Sequence, residues 1–183
     1  SDWNLKKDKD GIKIYTRSVE GSSFEEYKAI TTIEKSTMNK VLMVILDVKN
    51  YESLFPDCMN PKVLKQEGEY DCIVYTQTKG PFPVKDRDSV FEQKTHINNN
   101  GKYAKISLMV IPGYFAEDKN FVRIRKGSGY WELTAEDNEN VKVIYQFHGE
   151  PGGEIPAWLV NSFVVGHPFE TLKNLKNRVK TNN

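Results

Sequence analysis

Residues 155–165 read Ile-Pro-Ala-Trp-Leu-Val-Asn-Ser-Phe-Val-Val, and this stretch decides how the chain must fold. Its apolar residues fall on nearly every side of a helix, so a helix here needs apolar neighbours on two sides. Helical spacing continues to residue 180, although Gly166 and Pro168 interrupt it. One apolar stripe is formed by Trp158, Val165, Phe169, Leu172, Leu175 and Val179. We predict a long C-terminal helix over 155–180. Its first half is either buried in the core and in a crystal or oligomer contact, or it forms a lid over an apolar cavity.

The chain before this helix is dominated by strand patterns. Alternation of apolar and polar residues predicts a hairpin from 11–17 and 27–33, and helical spacing predicts a helix over 38–46 with a further turn at 50–56. Strand patterns follow at 62–68, 72–79, 88–97, 102–111, 121–133 and 141–149, with a glycine break at Gly127 and Gly129. This order predicts an α+β fold in which the terminal helix covers one face of a curved antiparallel β-sheet.

Composition limits the class of protein. The 183 residues, 38% hydrophobic and 28% charged, fit a single domain over 1–183. A net charge of +1 argues against nucleic acid as a partner, and no apolar run approaches the roughly 20 residues that span a bilayer. Cys58 and Cys72 form no metal or redox motif. The chain begins at Ser1, so the expected compartment is either cytoplasmic or, if a signal peptide was removed, exported.

Strand parity indicates which side of the sheet faces inward. Along 88–97 the charged residues Asp88, Glu92, Lys94 and His96 share one face, and Phe91, Gln93, Thr95 and Ile97 share the other. The same alternation places inward Ala104, Ile106, Leu108, Val110, Val122, Ile124, Trp131, Leu133, Val143, Tyr145 and Phe147. Such a wall, apolar with a few polar groups, is typical of small-molecule pockets, and an ordinary packed core has a similar pattern.

Four local motifs occur in one order along nearly the whole chain. They are Trp3 followed by 10–17 (Asp-Gly-Ile-Lys-Ile-Tyr-Thr-Arg), 81–84 (Pro-Phe-Pro-Val) leading into Asp86-Arg87-Asp88, 152–161 (Gly-Gly-x-Ile-Pro-x-Trp-Leu-Val-Asn), and 168–175 (Pro-x-x-Thr-Leu-x-x-Leu). In these motifs the chain resembles the START family, the steroidogenic-acute-regulatory-protein-related lipid transfer domains of the helix-grip fold.

The resemblance implies a curved antiparallel sheet wrapped around a long C-terminal helix, with an internal hydrophobic cavity that holds one lipid or sterol-like molecule. It implies a lipid-binding or lipid-transfer monomer that contacts membranes transiently and has no catalytic residue, metal or cofactor. The expected gate is the loop around Phe82 working against the helix, with Gly152, Gly153 and Ile155 at the helix entrance. The expected ligand-binding residues are Val74, Phe91, Gln93, Ile106, Leu108, Trp131, Tyr145, Phe147, Trp158, Asn161 and Val165.

One family feature is absent from the sequence. Many animal members carry a charged pair deep in the tunnel, whereas the corresponding inward position here is Gln93, and the neighbouring strand offers Val74, Tyr75 and Thr76. We therefore expect no ion pair there and an uncharged polar or hydroxylated group of the ligand. We expect Arg87 to brace its loop in preference to binding an anion.

An enzyme of the polyketide cyclase, aromatase or hydratase type is the alternative, because helix-grip relatives include such enzymes. His96, His148 and His167 lie in no metal or nucleophile motif. Tyr75, Tyr145 and His148 are the group that could perform acid–base chemistry on a hydrophobic substrate.

Overall fold

Most of the chain forms one antiparallel sheet. The computed structural model describes residues 2–98 and 100–181. Within these residues the strands are β1 Asn4–Lys9, β2 Ile12–Arg17, β3 Glu26–Ile33, β4 Cys58–Gln66, β5 Cys72–Thr78, β6 Arg87–Ile97, β7 Tyr103–Val110, β8 Val122–Arg123, β9 Lys126–Glu136 and β10 Asn140–Glu150. The helices are α1 Met38–Ile45, α2 Ala157–Asn161 and α3 His167–Thr181, with a π-helical segment at Ser162–Gly166 and 3₁₀ turns at Val48–Ser53 and Asp137–Glu139.

The strand order is β1-β2-β3-β10-β9-β7-β6-β5-β4, and every neighbouring pair in it is antiparallel. The short β8 lies off this path and pairs parallel with β6. Pairing of β3 with β10 joins the N-terminal hairpin to the last strand. The predicted α+β arrangement, an antiparallel sheet covered by a C-terminal helix, is confirmed.

Strand β1 was not predicted, because its residues show no apolar alternation. Nearly all of β1 is exposed, including Leu5, so it is an edge strand held mainly by its backbone pairing with β2. The preceding Trp3 ring packs against cations, with Arg17 Cζ 4.3 Å and Lys28 Nζ 4.5 Å from its centroid. Backbone pairing of this kind leaves no periodic signal in the sequence.

The glycines of β9 do not break the strand, contrary to the prediction. The gap lies at 124–125, and β9 runs through Gly127 and Gly129. A Cβ at Gly129 would lie 2.2 Å from the Gln146 carbonyl oxygen and 2.7 Å from Phe147 Cδ2. The glycines therefore let strand β10 and the Phe147 ring approach closely while the pairing continues.

The C-terminal helix is interrupted near Gly166 and Pro168, as predicted, and the interruption is a π-helical segment. The π-helical segment separates α2 from α3. Pro168, which has no backbone N–H to donate, is the second residue after this segment. Helix α3 packs on α1, β2 and β3 and buries Phe169, Leu172, Leu175 and Val179. No helix in the described part of the chain is both long and apolar enough to cross a membrane.

The outer face of the sheet carries a second, smaller core. Ile73, Tyr75 and Val90 are buried there and pack against Leu64, Ile111 and Phe115. Asp88, predicted on an exposed charged face, is buried in this region, where its Oδ1 lies 2.8 Å from Arg123 Nε. The prediction of exposure was wrong because the alternation along a strand shows only which face of the sheet a residue lies on. It cannot show that residues 111–123 cover part of the outer face.

Candidate functional site

A cavity of about 250 Å³ lies between the inner face of the sheet and the C-terminal helical segments. This volume is close to the lower end of the range of roughly 300–1,000 Å³ for small-molecule sites. Its sheet wall includes Thr76, Thr78, Arg87, Ser89, Phe91, Gln93, Leu108, Val110, Trp131, Tyr145 and Phe147, and its helical wall includes Phe163, Val164, His167 and Thr171. The surface that this wall presents to the cavity is mostly apolar, although several of its side chains are polar.

The structure brings six of the predicted ligand-binding residues together on this wall: Phe91, Gln93, Leu108, Trp131, Tyr145 and Phe147. All six lie on strands, where parity alone decides the face. Val74, Ile106 and Val165 are buried in the main core instead of lining the cavity.

Trp158 and Asn161 do not line the cavity, which corrects the prediction. Trp158 is 66% exposed and Asn161 is exposed, because the buried residue of the short helix α2 is Leu159. The apolar stripe was extrapolated at α-helical spacing across residues 162–166. Since a π-helical turn contains an extra residue, the spacing loses phase there and the first half of the helix is rotated relative to α3.

None of the four predicted gate residues lines the cavity, but the segments that carry Phe82, Gly152 and Gly153 contribute Gly80, Val84 and Pro151 to its wall. Phe82 is 96% exposed at the tip of the loop that follows β5, and Gly80 and Val84 at the base of this loop line the cavity. Gly152 and Gly153, with φ of +70° and +63°, adopt the left-handed conformation that favours glycine. Ile155 is half-buried just before α2.

The deep end of the cavity is polar but uncharged. Gln93 is 1% exposed, its Oε1 lies 3.1 Å from the Tyr51 hydroxyl, and its Nε2 lies 3.9 Å from Cys72 Sγ. Burial raises the pKa of Tyr51, so this hydroxyl keeps its proton. No carboxylate of the described residues forms an ion pair there, in agreement with the expectation for this position.

An aromatic cluster forms one side of the wall. Trp131 and Tyr145, opposite each other on β9 and β10, stack with centroids 4.0 Å apart and an interplanar angle of 13°. Tyr27 meets Tyr145 edge-on at 5.5 Å, and Phe55 lies near both rings of the stacked pair. Burial raises the pKa of Tyr145 to about 12, so the cluster presents apolar surface and neutral hydroxyls. Sequence reasoning missed Tyr27 and Phe55, because nothing local in sequence shows that they meet this wall.

The structure does not bring Tyr75, Tyr145 and His148 together. Tyr145 faces the cavity, whereas Tyr75 lies on the opposite face of the sheet and donates to Asp88 Oδ2 at 2.9 Å. His148 Nε2 lies 3.1 Å from both Ser22 Oγ and the Phe24 carbonyl oxygen. These three residues therefore form no acid–base group at the cavity.

His167 lines the cavity instead, where its Nε2 lies 3.4 Å from Asp57 Oδ2. Burial lowers the pKa of His167, and the neighbouring Asp57 partly offsets this effect. His167 thus ties the start of α3 to the loop before β4. The sequence placed it at the helix break without indicating this contact.

Arg87 braces two loops at the rim of the cavity, as predicted. Arg87 is 4% exposed, and its guanidinium donates to the carbonyl oxygens of Lys85 at 2.5 Å, Gly152 at 2.5 Å and Pro151 at 3.3 Å. Gly153 makes room for it, because a Cβ there would lie 2.9 Å from an Arg87 terminal nitrogen. One side chain thus links the Phe82 loop to the entrance of α2.

A curved antiparallel sheet, closed by a C-terminal helix around an apolar cavity, defines a helix-grip protein with an internal cavity. The START domain model matches residues 1–183, and the chain belongs to the START domain family. This family assignment agrees with the fold and with the four sequence motifs.

Individual relatives agree with this assignment. A STAR-related lipid transfer protein from Xanthomonas axonopodis has 34% identity and a TM-score of 0.88, covering 98% of this chain and 99% of that one. The human phosphatidylcholine transfer protein is 24% identical over 164 residues, which is 88% of this chain and 76% of that protein. An aromatase/cyclase from Streptomyces shares the fold alone, with 13% identity, a TM-score of 0.58 and coverage of 86% and 94%.

Proposed function

We propose that this protein binds one hydrophobic ligand, a lipid or sterol-like molecule, in the cavity and transfers it between membranes. The observation that carries the proposal is the apolar cavity enclosed by a single START domain. The names of the Xanthomonas and human relatives, both lipid transfer proteins, support the same function. Because residues of a single chain line the cavity, we propose that the carrier acts as a monomer.

The apolar wall supplies the free energy for taking up the ligand. Burial of apolar surface is worth about 25 cal/mol per Å², so a chain leaving a bilayer recovers in the cavity the apolar burial that it loses. Gln93 at the deep end is neutral, and its amide is already hydrogen-bonded to the Tyr51 hydroxyl and the Cys72 thiol, so this end of the cavity accepts an uncharged part of the ligand. Uptake is then limited by access to the cavity.

Access requires the Phe82 loop to separate from the helix entrance. This loop and the segment at 151–153 are bound to each other through Arg87, so breaking its carbonyl hydrogen bonds opens the rim. Gly152 and Gly153, and the π-helical segment, are the parts of the backbone that best accommodate such a movement. Phe82, Gly152, Gly153 and Ile155 form the gate in this proposal.

Two exposed aromatic residues make the gate a membrane-contact surface. Phe82 and Trp158 expose most of their surface on the two elements that form the gate. Aromatic side chains enter the interfacial region of a bilayer readily, and two of them give weak, reversible binding. The proposed carrier therefore contacts the membrane where its cavity opens.

Filling the cavity should abolish transfer. We expect Ser89→Trp, which places a large side chain on the cavity wall, to reduce the transfer of a fluorescent lipid between vesicles to the rate without protein. The matched control is Ser107→Trp on the exposed face of β7, which should transfer at the wild-type rate. Equal transfer by both folded variants would contradict binding inside the cavity. Mass spectrometry of the recovered ligand distinguishes a carrier from an enzyme, because a carrier returns it unchanged.

Removing the exposed aromatics should slow transfer without weakening ligand binding in solution. We expect the double variant Phe82→Ala/Trp158→Ala to associate at least about 10-fold more weakly with vesicles, since full burial of even one large apolar side chain is worth roughly 1.5–3 kcal/mol. Co-sedimentation with vesicles measures this, and thermal unfolding should be unchanged because both residues are exposed. Met109→Ala, which removes an exposed apolar residue elsewhere, is the control. If Met109→Ala and the double variant lose vesicle binding equally, the gate surface is not the contact.

A further inference from the structure

The cavity wall contains a buried cation. Arg87 lines the cavity and is 4% exposed, whereas the other charged residues on the wall, Glu25, Glu150, His167 and Lys79, are half-buried or exposed. Its position at the start of β6 places it at the rim, next to the proposed gate.

The charge of Arg87 is not matched by a carboxylate of the described residues. Its hydrogen-bond partners are backbone carbonyl groups, and no described carboxylate oxygen lies within 4.0 Å. The acidic groups nearby have other partners: Asp88 pairs with Arg123, Asp86 accepts from the Gly80 N–H, and Glu150 lies 3.9 Å from Lys126 Nζ. A buried charge is normally paired, because leaving it unpaired in a low-dielectric site is costly.

Desolvation disfavours the charged form of Arg87. Burial lowers the pKa of Arg87, and no carboxylate of the described residues acts to raise it. Carbonyl dipoles orient the guanidinium but bring no net negative charge. A ligand that carries an anionic oxygen would supply this negative charge.

The guanidinium also retains hydrogen-bonding capacity. Arginine has five N–H groups, and the three bonds to carbonyls use Nε–H and one N–H on each terminal nitrogen. One N–H remains on each terminal nitrogen. Carboxylate and phosphate oxygens are the acceptors that arginine binds most strongly.

The cavity extends from this charge to a neutral end. Arg87, Ser89, Phe91 and Gln93 follow one another on the inner face of β6, which corresponds to a span of about 20 Å at the rise of a β-strand. The polar group at the deep end, Gln93, is uncharged. The volume of about 250 Å³ suits one apolar chain, and the cavity would have to widen to enclose two.

We infer that the ligand of this protein is a single-chain lipid with an anionic headgroup, a carboxylate or a phosphate, which binds Arg87 at the rim while its chain extends toward Gln93. The inference rests on the proposed lipid-binding function and adds the ligand class and its orientation. In the bound state the ligand supplies the negative charge that Arg87 lacks.

The test compares ligands that differ only in the headgroup. Delipidated wild-type protein is titrated calorimetrically with oleate, oleoyl lysophosphatidic acid and the neutral oleyl alcohol. We expect both anionic lipids to bind at least about 10-fold more tightly than the alcohol, since a hydrogen bond to a charged group is worth roughly 1.5–3 kcal/mol. Acetate and inorganic phosphate should not displace them, which distinguishes a lipid headgroup from a free anion.

Variants then assign the effect to Arg87. Arg87→Gln should reduce the affinity for oleate at least about 10-fold and change that for oleyl alcohol less than about 2-fold, with partial recovery in Arg87→Lys. Lys102→Gln, which removes an exposed charge away from the cavity wall, should change neither. A merely structural role of Arg87 would weaken binding of the alcohol and of oleate equally.

The wild-type titration is decisive even if Arg87→Gln does not fold. Equal affinity for oleate and oleyl alcohol, or displacement of oleate by phosphate alone, would overturn the inference and leave the proposed carrier function intact. Failure of all three lipids to bind would overturn the carrier function as well.

Discussion

Asp88→Ala should lower the free energy of unfolding by about 3–5 kcal/mol, because it leaves the buried Arg123 guanidinium without its counter-charge. Both side chains of this pair are 1% exposed, and Arg123 also donates to the carbonyl oxygens of Pro112, Phe115 and Ala116. The pair therefore fixes the segment before β8 to the outer face of the sheet. Urea unfolding followed by circular dichroism measures the loss.

The matched control is Arg125→Ala, which removes an ion pair two residues away. Arg125 and Glu117 are 2.6 Å apart but 60% and 52% exposed, so their pairing is worth about 0–1 kcal/mol. Replacing both buried partners, as in Asp88→Leu/Arg123→Met, should lower the free energy of unfolding less than Asp88→Ala does, since no buried charge is then left without a partner. A loss for Asp88→Ala no greater than that for Arg125→Ala would show that the pair does not stabilise the fold.

Trp131→Ala should also destabilise the protein by about 3–5 kcal/mol, the usual cost of truncating a fully buried tryptophan. Trp131 lies between the core and the cavity and stacks on Tyr145, so its removal also takes away one side of the aromatic wall. The variant should regain part of its stability when a hydrophobic ligand fills the enlarged cavity, as binding to the native state alone requires. Thermal unfolding with and without oleyl alcohol measures both effects.

Trp158→Ala is the control of identical chemistry on an exposed site and should change stability by less than about 0.5 kcal/mol. If both tryptophan variants lost the same stability, the burial of Trp131 in the cavity wall would be wrong. If ligand restored no stability to Trp131→Ala, its side chain would not border the binding site.

Parity explains why the sheet side of the cavity was predictable. Along β6 and β10 successive side chains point to opposite faces of the sheet. Once one apolar residue is assigned to the inner face, the faces of all other residues in the strand follow. Phe91, Gln93, Tyr145 and Phe147 were assigned in this way, and the structure places them on the cavity wall. A strand needs no information from distant parts of the chain for this assignment.

The helical side was less predictable, since its phase depends on a backbone irregularity. The π-helical segment shifts the spacing between α2 and α3, so Trp158 and Asn161 turn outward and His167 and Thr171 turn toward the cavity. Pro168 and Gly166 indicate an interruption but not its type. The same limit applied to Tyr51, which reaches Gln93 from 42 residues away.

The sequence by itself determined the α+β class, the family and the inner face of the strands, because these follow from local periodicity and from motifs in a fixed order. Only the tertiary structure decided which charges are paired. Asp86, Arg87 and Asp88 are adjacent in sequence, yet Asp88 pairs with Arg123 on the outer face, while the partners of Arg87 among the described residues are carbonyl groups at the cavity. Adjacent residues of a strand point to opposite faces, so their partners come from distant segments that no local pattern reveals.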